Sequence, residues 1–134
     1  MSPENVRLIH SVYAAINRRD MAALQEMLEA SPDYEWETGP DMPDPGRRIG
    51  PDSTLRHLEE TFAAFDRINT VVREVIDLGP AGAIFLVRHH ARGAASGAEV
   101  QRDEVHFWRT EDDRVVGLEE FLTVEDARAA AARV

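Results

Sequence analysis

The chain has 134 residues, of which 25 are Asp or Glu and 15 are Lys or Arg, and its formal net charge is -10. This length suits a single domain, residues 1–134, with a core of its own. The acidic balance argues against nucleic acid or an anionic membrane as the main partner, because both need a cationic surface.

Cysteine and lysine are both missing, since all 15 basic residues are Arg. Their absence excludes disulfides, thiolate chemistry and lysine Schiff bases. No apolar run approaches membrane-spanning length, and the N-terminus lacks the apolar core of a signal peptide. We therefore expect a soluble, cytoplasmic protein whose chemistry rests on carboxylates, His, Tyr, Ser and Thr.

Two helices are predicted at the start of the chain. Ser2 and Pro3 form a favourable helix beginning, and apolar residues then repeat at intervals of three and four. Asp20 is expected to cap the second helix, which stops near residues 31–33. A short alternating strand follows at residues 34–38.

Residues 39–51 contain four Pro and three Gly and are predicted to be an irregular loop. Such a loop acts either as a lid over a binding site or as an inert surface excursion. A third helix begins near Pro51 and is expected to bury Leu55, Leu58, Phe62 and Phe65. His57 on this helix is expected to be solvated.

Four strands are then predicted at residues 70–78, 83–92, 99–109 and 115–122, before a short helix capped by Thr123. Helices followed by an antiparallel sheet indicate an α+β domain. The three helices of the N-terminal half would pack on one face of a curved sheet and leave an internal cavity with an open mouth.

The two hairpins of this sheet predict a cluster of ionisable groups. A three-residue loop at 111–113 would pair His106 with Leu118 and Glu104 with Glu120. A two-residue turn at 96–97 would pair His89 with Glu104. Together these registers place nine residues on one face: Phe85, Val87, His89, Glu104, His106, Trp108, Leu118, Glu120 and Leu122.

Because most of these residues are apolar, this face is expected to be the inner one. Directly opposed strand residues lie about 5 Å apart at Cβ. Glu104 and Glu120 would then be neighbours, so one of their pKa values should rise or a cation such as His106 must intervene. The cluster is either a structural ion-pair network or an acid–base centre. A metal site of two His and one carboxylate is a third possibility.

The order of elements resembles the NTF2-like superfamily, and specifically its SnoaL-like branch. The resemblance covers nearly the whole chain and lies in residues 13–20 with Leu24, residues 33–37, the Val105–Trp108 segment, residues 111–115 and residues 125–127. It implies an α+β cone with a ligand cavity. It also implies a choice among isomerases, cyclases, epoxide hydrolases and members without a reaction.

The resemblance also suggests roles for individual residues. SnoaL-like cyclases use an Asp on the last strand, with a Gln and a His on the preceding strand. Glu120, Glu104 and His106 occupy these positions. Ketosteroid isomerases use a helix Tyr and a strand Asp, where this chain has Val12 and Thr38, which argues against steroid isomerisation by that mechanism.

The predicted catalytic residues are accordingly Glu120, His106 and Glu104, with no metal and no cofactor. The predicted ligand contacts are Tyr13, Trp36, Phe62, Phe85, His89, Trp108, Leu118 and Leu122. The leading hypothesis is cofactor-independent proton transfer on a small hydrophobic carbonyl compound. The alternatives are a binding module without turnover, and an epoxide hydrolase that uses Arg102 with the two glutamates.

The outer face of the sheet suggests a protein partner. It carries Ile84, Leu86, Val105 and Phe107, and an exposed apolar patch of this size usually meets another surface. We therefore expect a homodimer through the outer sheet face.

Overall fold

The computed structural model describes residues 1–134. Its helices are α1 (Pro3–Arg18), α2 (Met21–Glu29), α3 (Pro51–Ala64) and α4 (Val124–Ala132). Its strands are β1 (Glu35–Thr38), β2 (Gly46–Ile49), β3 (Phe65–Asp77), β4 (Gly82–Gly93), β5 (Glu99–Glu111) and β6 (Arg114–Phe121). None of the four helices combines the length and the apolar character needed to cross a membrane.

Side-chain caps begin three of the helices, as the sequence predicts. The Ser2 hydroxyl accepts a hydrogen bond from the Asn5 amide at 3.1 Å, and the Asp20 carboxylate accepts one from the Ala23 amide at 3.1 Å. Thr123 caps α4 in the same way. Each cap satisfies an amide that the first helical turn leaves without a partner.

The six strands form one mixed sheet in the order β2-β1-β6-β5-β4-β3. Strand β1 runs parallel to β6, and every other pair is antiparallel. Helix α1 packs its buried side chains on the inner face, where Ile9 and Tyr13 meet Phe85, Val87 and Trp108 in the main core. The α+β architecture is therefore as predicted, with a fourth helix on the opposite face.

Both predicted hairpin registers are wrong by two residues. His106 lies opposite Glu120, not Leu118, and it also lies opposite Phe85 on the other side. The hairpin between β5 and β6 turns on two residues, Asp112 and Asp113, which both have positive φ, while a bulge follows Arg109. Because the shift is an even number, each side chain keeps its predicted face.

The predicted loop at residues 39–51 contains an element of its own. Residues 46–49 form β2, which pairs with β1 at the edge of the sheet. None of the four prolines lies within β2, since Pro40, Pro43 and Pro45 precede it and Pro51 begins α3. Phe65, expected on α3, is instead the first residue of β3.

The apolar patch on the outer sheet face is covered by the chain itself. Ala127 and Ala130 of α4 pack on Ile84, Val105 and Phe107, which are at most 6 % exposed. The exposed patch that supported a homodimer is therefore absent, since α4 buries it. Homodimerisation remains a prediction, but an exposed apolar sheet face no longer supports it.

Candidate functional site

The inner face of the sheet gathers the ionisable groups at its centre. Strand β5 alternates Glu104, His106 and Trp108 towards the helices, since successive strand residues face opposite sides. Strand β6 adds Glu120 beside His106, and α1 brings Tyr13 over the sheet. Period-two alternation and helix packing thus place these side chains together.

His106 is the hub of the cluster. Its Nε2 lies 2.9 Å from Glu104 Oε1 and 3.3 Å from Glu120 Oε2, and its Nδ1 lies 2.6 Å from the Tyr13 hydroxyl. Burial alone would lower the pKa of His106, but the hydrogen bonds and charges of the two glutamates raise it to about 9. His106 is therefore an imidazolium at neutral pH, a buried cation between two carboxylates.

Glu104 is the most fully paired of the carboxylates. Its Oε1 accepts hydrogen bonds from His106 and from His89 Nε2, the latter at 3.0 Å. Its Oε2 accepts one from Arg102 Nε at 2.7 Å. Burial opposes ionisation, yet hydrogen bonds from His106 and His89 hold the pKa of Glu104 well below its usual range. Glu104 thus fixes His106 in place as an ion-pair partner.

Glu120 keeps a less occupied oxygen. Its Oε1 accepts hydrogen bonds from Trp36 Nε1 at 2.6 Å and from Thr38 Oγ1 at 2.9 Å. Its Oε2 has His106 alone within range. Burial would raise the pKa of Glu120, but the hydrogen bond and charge of His106 lower it. The carboxylate is ionised, and Oε2 retains acceptor capacity.

Tyr13 connects the cluster to the core. Trp108 Nε1 donates to its hydroxyl oxygen at 2.8 Å. When His106 is an imidazolium, its Nδ1–H donates to the same oxygen. Burial raises the pKa of Tyr13, so it stays a phenol. Its own proton then has no protein acceptor and can be donated to a bound molecule.

A cavity of about 490 Å³ opens beside this cluster. Most of its wall residues come from α1, α2, α3 and the inner face of the sheet, and 20 of the 36 are hydrophobic. Met42 and Pro43 of the segment between β1 and β2 also contribute to the wall. This size and composition are typical of a site for a small organic ligand.

The structure brings most of the predicted site residues to this cavity. Eight of them line it: Tyr13, Trp36, His89, Glu104, His106, Trp108, Leu118 and Glu120. Three predicted ligand contacts do not. Phe85 is fully buried in the core under α1, Phe62 packs against the Arg19 guanidinium at 4.8 Å, and Leu122 is 44 % exposed because β6 ends at Phe121.

His57 is a cavity residue that the sequence argument missed. It was expected to be solvated, but its side chain is 18 % exposed and lines the cavity. Thr54, Leu58 and Thr61 line the same wall. Thr54 and Thr61 lie three and four residues from His57, and Leu58 lies four residues from Thr54 and three from Thr61; this spacing is the signal that places all four on one face of α3.

The cluster also has the composition of a metal site. Donor atoms of His89, Glu104 and His106 lie within 4.8 Å of one another, and two His with one carboxylate can bind a metal ion. However, Arg102 occupies the second oxygen of Glu104, and His106 carries the proton that a metal ion would have to displace. These residues suit an ion-pair network better than a metal ion.

The fold defines an NTF2-like protein with a polar centre at the wall of an apolar cavity. Comparison with protein families matches the SnoaL-like domain over residues 9–118. The chain belongs to this family, as its sequence predicts. A comparison with curated proteins found no match.

Solved structures share the fold at low sequence identity. An NTF2-like protein of unknown function from Burkholderia pseudomallei K96243 is 22% identical, with a TM-score of 0.76 over 94% of this chain and 95% of that chain. TerC, crystallised with polyporic acid, is 19% identical, with a TM-score of 0.74 over 96% and 98% of the two chains. A protein assigned as a SnoaL-like polyketide cyclase from Jannaschia sp. CCS1 is 16% identical, with a TM-score of 0.74 over 100% and 97%.

Proposed function

We propose that this protein is a cofactor-independent acid–base enzyme, an isomerase or a cyclase of the polyketide-cyclase type, that acts on a small hydrophobic carbonyl compound. One observation carries the proposal: the ionised carboxylate of Glu120 lies 3.3 Å from the cation of His106 at the wall of a largely apolar cavity. Opposite charges held in place in a dehydrated site are the means by which enzymes stabilise charge that develops during proton transfer.

The proposed step begins at Glu120. Its Oε2 removes a proton from the carbon next to the ligand's carbonyl group, and the electrons of the C–H bond form an enolate. Tyr13 donates its hydroxyl proton in a hydrogen bond to the enolate oxygen, while His106 supplies positive charge behind it. If the enolate is conjugated with a C=C bond, Glu120 returns the proton to the far carbon of that system, which gives an isomer. Alternatively, the enolate carbon attacks a second carbonyl, whose π electrons move to its oxygen, and Glu120 returns its proton to that oxygen, which closes a ring that carries a hydroxyl group.

The family supports a small organic ligand for this cavity. TerC was crystallised with polyporic acid, and the protein from Jannaschia is assigned as a SnoaL-like polyketide cyclase. At 19% and 16% identity these proteins share the fold, so the reaction has to be tested on this chain itself.

Hydrogen–deuterium exchange tests the proposal without knowledge of the natural substrate. In D₂O, an enzyme that forms an enolate should exchange the α-hydrogens of 2-tetralone faster than buffer does, as NMR would show. Glu120→Gln should reduce this exchange at least about a hundredfold, the usual contribution of a general base, and change stability by about 1–2 kcal/mol at most. Glu119→Gln is the matched control, because Glu119 lies next to Glu120 on the opposite face. Exchange that survives Glu120→Gln contradicts the assignment of the base.

One observation favours a second candidate, a ligand-binding module without turnover. Glu104 and His106 satisfy each other, and both oxygens of Glu104 already have protein donors. This part of the network is complete without a ligand, which is also what a purely structural role needs. Binding of 2-tetralone without any exchange by the wild-type protein would support this reading.

Epoxide hydrolysis is the weakest of the alternatives. The family's arrangement for that reaction has an Arg between two Asp side chains. Here Arg102 bonds only to Glu104, and His106 lies between the two glutamates. The geometry therefore differs from the arrangement that this reaction uses.

A further inference from the structure

His57 is a polar side chain on the cavity wall with no hydrogen-bonding partner. Its two nearest ionic neighbours, Asp44 Oδ2 and Glu60 Oε2, are each 3.9 Å from its Nδ1, which is beyond hydrogen-bond distance. By contrast, His89 and His106 use both ring nitrogens in hydrogen bonds. His57 is thus the cavity's one histidine with free donor and acceptor capacity.

The orientation of the His57 ring is set by Trp36. The two rings meet edge to face, with their centroids 4.8 Å apart, which is a favourable aromatic arrangement. The same indole donates its Nε1–H to Glu120. Trp36 therefore separates two polar points of the cavity wall: the network around Glu120 on one side and the free imidazole on the other.

Burial leaves His57 neutral at neutral pH. The groups facing it are Asp44 from the segment before β2, Arg48 of β2, Glu60 of α3 and Glu120 of β6. Burial, helped by the charge of Arg48, lowers the pKa of His57 despite the three carboxylates. A neutral imidazole offers one N–H donor and one lone pair.

The side chain of His57 is 18 % exposed, and its ring nitrogens are not among the buried atoms that lack a partner, so water can reach them at the cavity wall. A bound molecule that displaces this water must offer a hydrogen-bonding partner of its own, because a buried polar group without one costs free energy. We propose that His57 hydrogen-bonds an oxygen atom of the ligand, so that the cavity takes a hydrophobic molecule with two oxygen functions. One oxygen lies at the Tyr13–Glu120 centre and the other at α3; this inference rests on the proposed function for the first.

Two matched compounds and two variants test this inference. Naphthalene and 2,7-dihydroxynaphthalene differ only in two hydroxyl groups, and binding of each can be followed through tryptophan fluorescence. In His57→Leu, the diol should bind about fivefold more weakly, the typical effect of one lost hydrogen bond, while naphthalene binding stays the same. His57→Gln, which keeps a donor and an acceptor, should retain much of the diol's advantage.

A structural role for His57 predicts other results. If the ratio of diol to naphthalene affinity is the same in His57→Leu as in the wild type, or if neither compound binds the wild type, the proposal is overturned. His57→Leu loses no protein hydrogen bond, so only the lost edge-to-face contact with Trp36 should lower the urea concentration at which it unfolds, and by a small amount. The proposed function fails separately: deuterium exchange would be absent although His57 still discriminates between the two compounds.

Discussion

His106 should make the stability of this protein fall as the pH rises above neutrality. Its pKa is raised from 6.5 to about 9 in the folded chain. A group whose pKa is higher when folded stabilises the fold fully below its unfolded pKa and loses that contribution as the pH rises through the folded value. The stabilisation by His106 is therefore lost between pH 6.5 and about 9.

The magnitude follows from the same two values. The difference between 6.5 and about 9 corresponds to about 3 kcal/mol at about 1.4 kcal/mol for each pKa unit. His106 is 3 % exposed, so solvent screens its interaction with the two glutamates little. The lowered pKa values of Glu104 and Glu120 express the same ion pairs and change stability at acid pH, outside this window.

Urea denaturation of the wild type and of His106→Gln at several pH values measures the effect. The variant should be less stable than the wild type near pH 6. The difference between their free energies of unfolding should shrink by about 3 kcal/mol towards about pH 9.5, as the imidazolium of the wild type loses its proton. His90→Gln on the outer face of β4 serves as the control, and it should follow the wild-type curve. Parallel curves for the wild type and His106→Gln would show that His106 is not a buried cation.

Two further changes test how the site is held. Asn17→Ala should destabilise the protein by about 2 kcal/mol. The reason is that the side-chain amide of Asn17 accepts a hydrogen bond from the Thr70 backbone N–H at 2.7 Å and donates one to the Thr70 carbonyl at 2.9 Å. Urea denaturation that shows no change in stability would contradict this. Removal of residues 123–134 should expose Ile84 and Phe107 and cause self-association visible by light scattering, whereas a truncated chain that stays monomeric and folded would show that α4 does not protect this face.

Local patterns predict most of the elements correctly. Ser2 and Asp20 cap helices because their side-chain oxygens reach free amides within the next three residues. Strand alternation is equally local, and it identifies Glu104 and His106 as inner-face residues. The SnoaL-like family was recognisable from the order of these elements, and residues 9–118 confirm it.

The pairing between strands was harder to predict from the sequence. The turn between β5 and β6 is one residue shorter than predicted, because Asp112 also adopts a left-handed conformation, and a bulge after Arg109 changes the count again. As a result, the residue opposite Glu120 is His106. The sequence predicts Glu104 at that position. An Asp at position 112 does not require a left-handed conformation, and an Arg at position 109 does not require a bulge.

The position of α4 and the surroundings of His57 were also beyond local patterns. Nothing in an Ala-rich helix states which surface it covers, so the outer face was expected to be open. His57 is expected to be solvated from its place between Arg56 and Leu58 in the chain, whereas its environment is set by Trp36 and Arg48 from other elements.

The sequence by itself determined which side chains share a face, because alternation and helical spacing follow from the backbone geometry of a few consecutive residues. Only the tertiary structure decided which of those side chains touch. Tyr13 and His106 lie 93 positions apart in the chain, yet the Tyr13 hydroxyl is 2.6 Å from His106 Nδ1 in the fold. The charge of His106 depends on such neighbours, since burial and ion pairing are properties of the assembled structure.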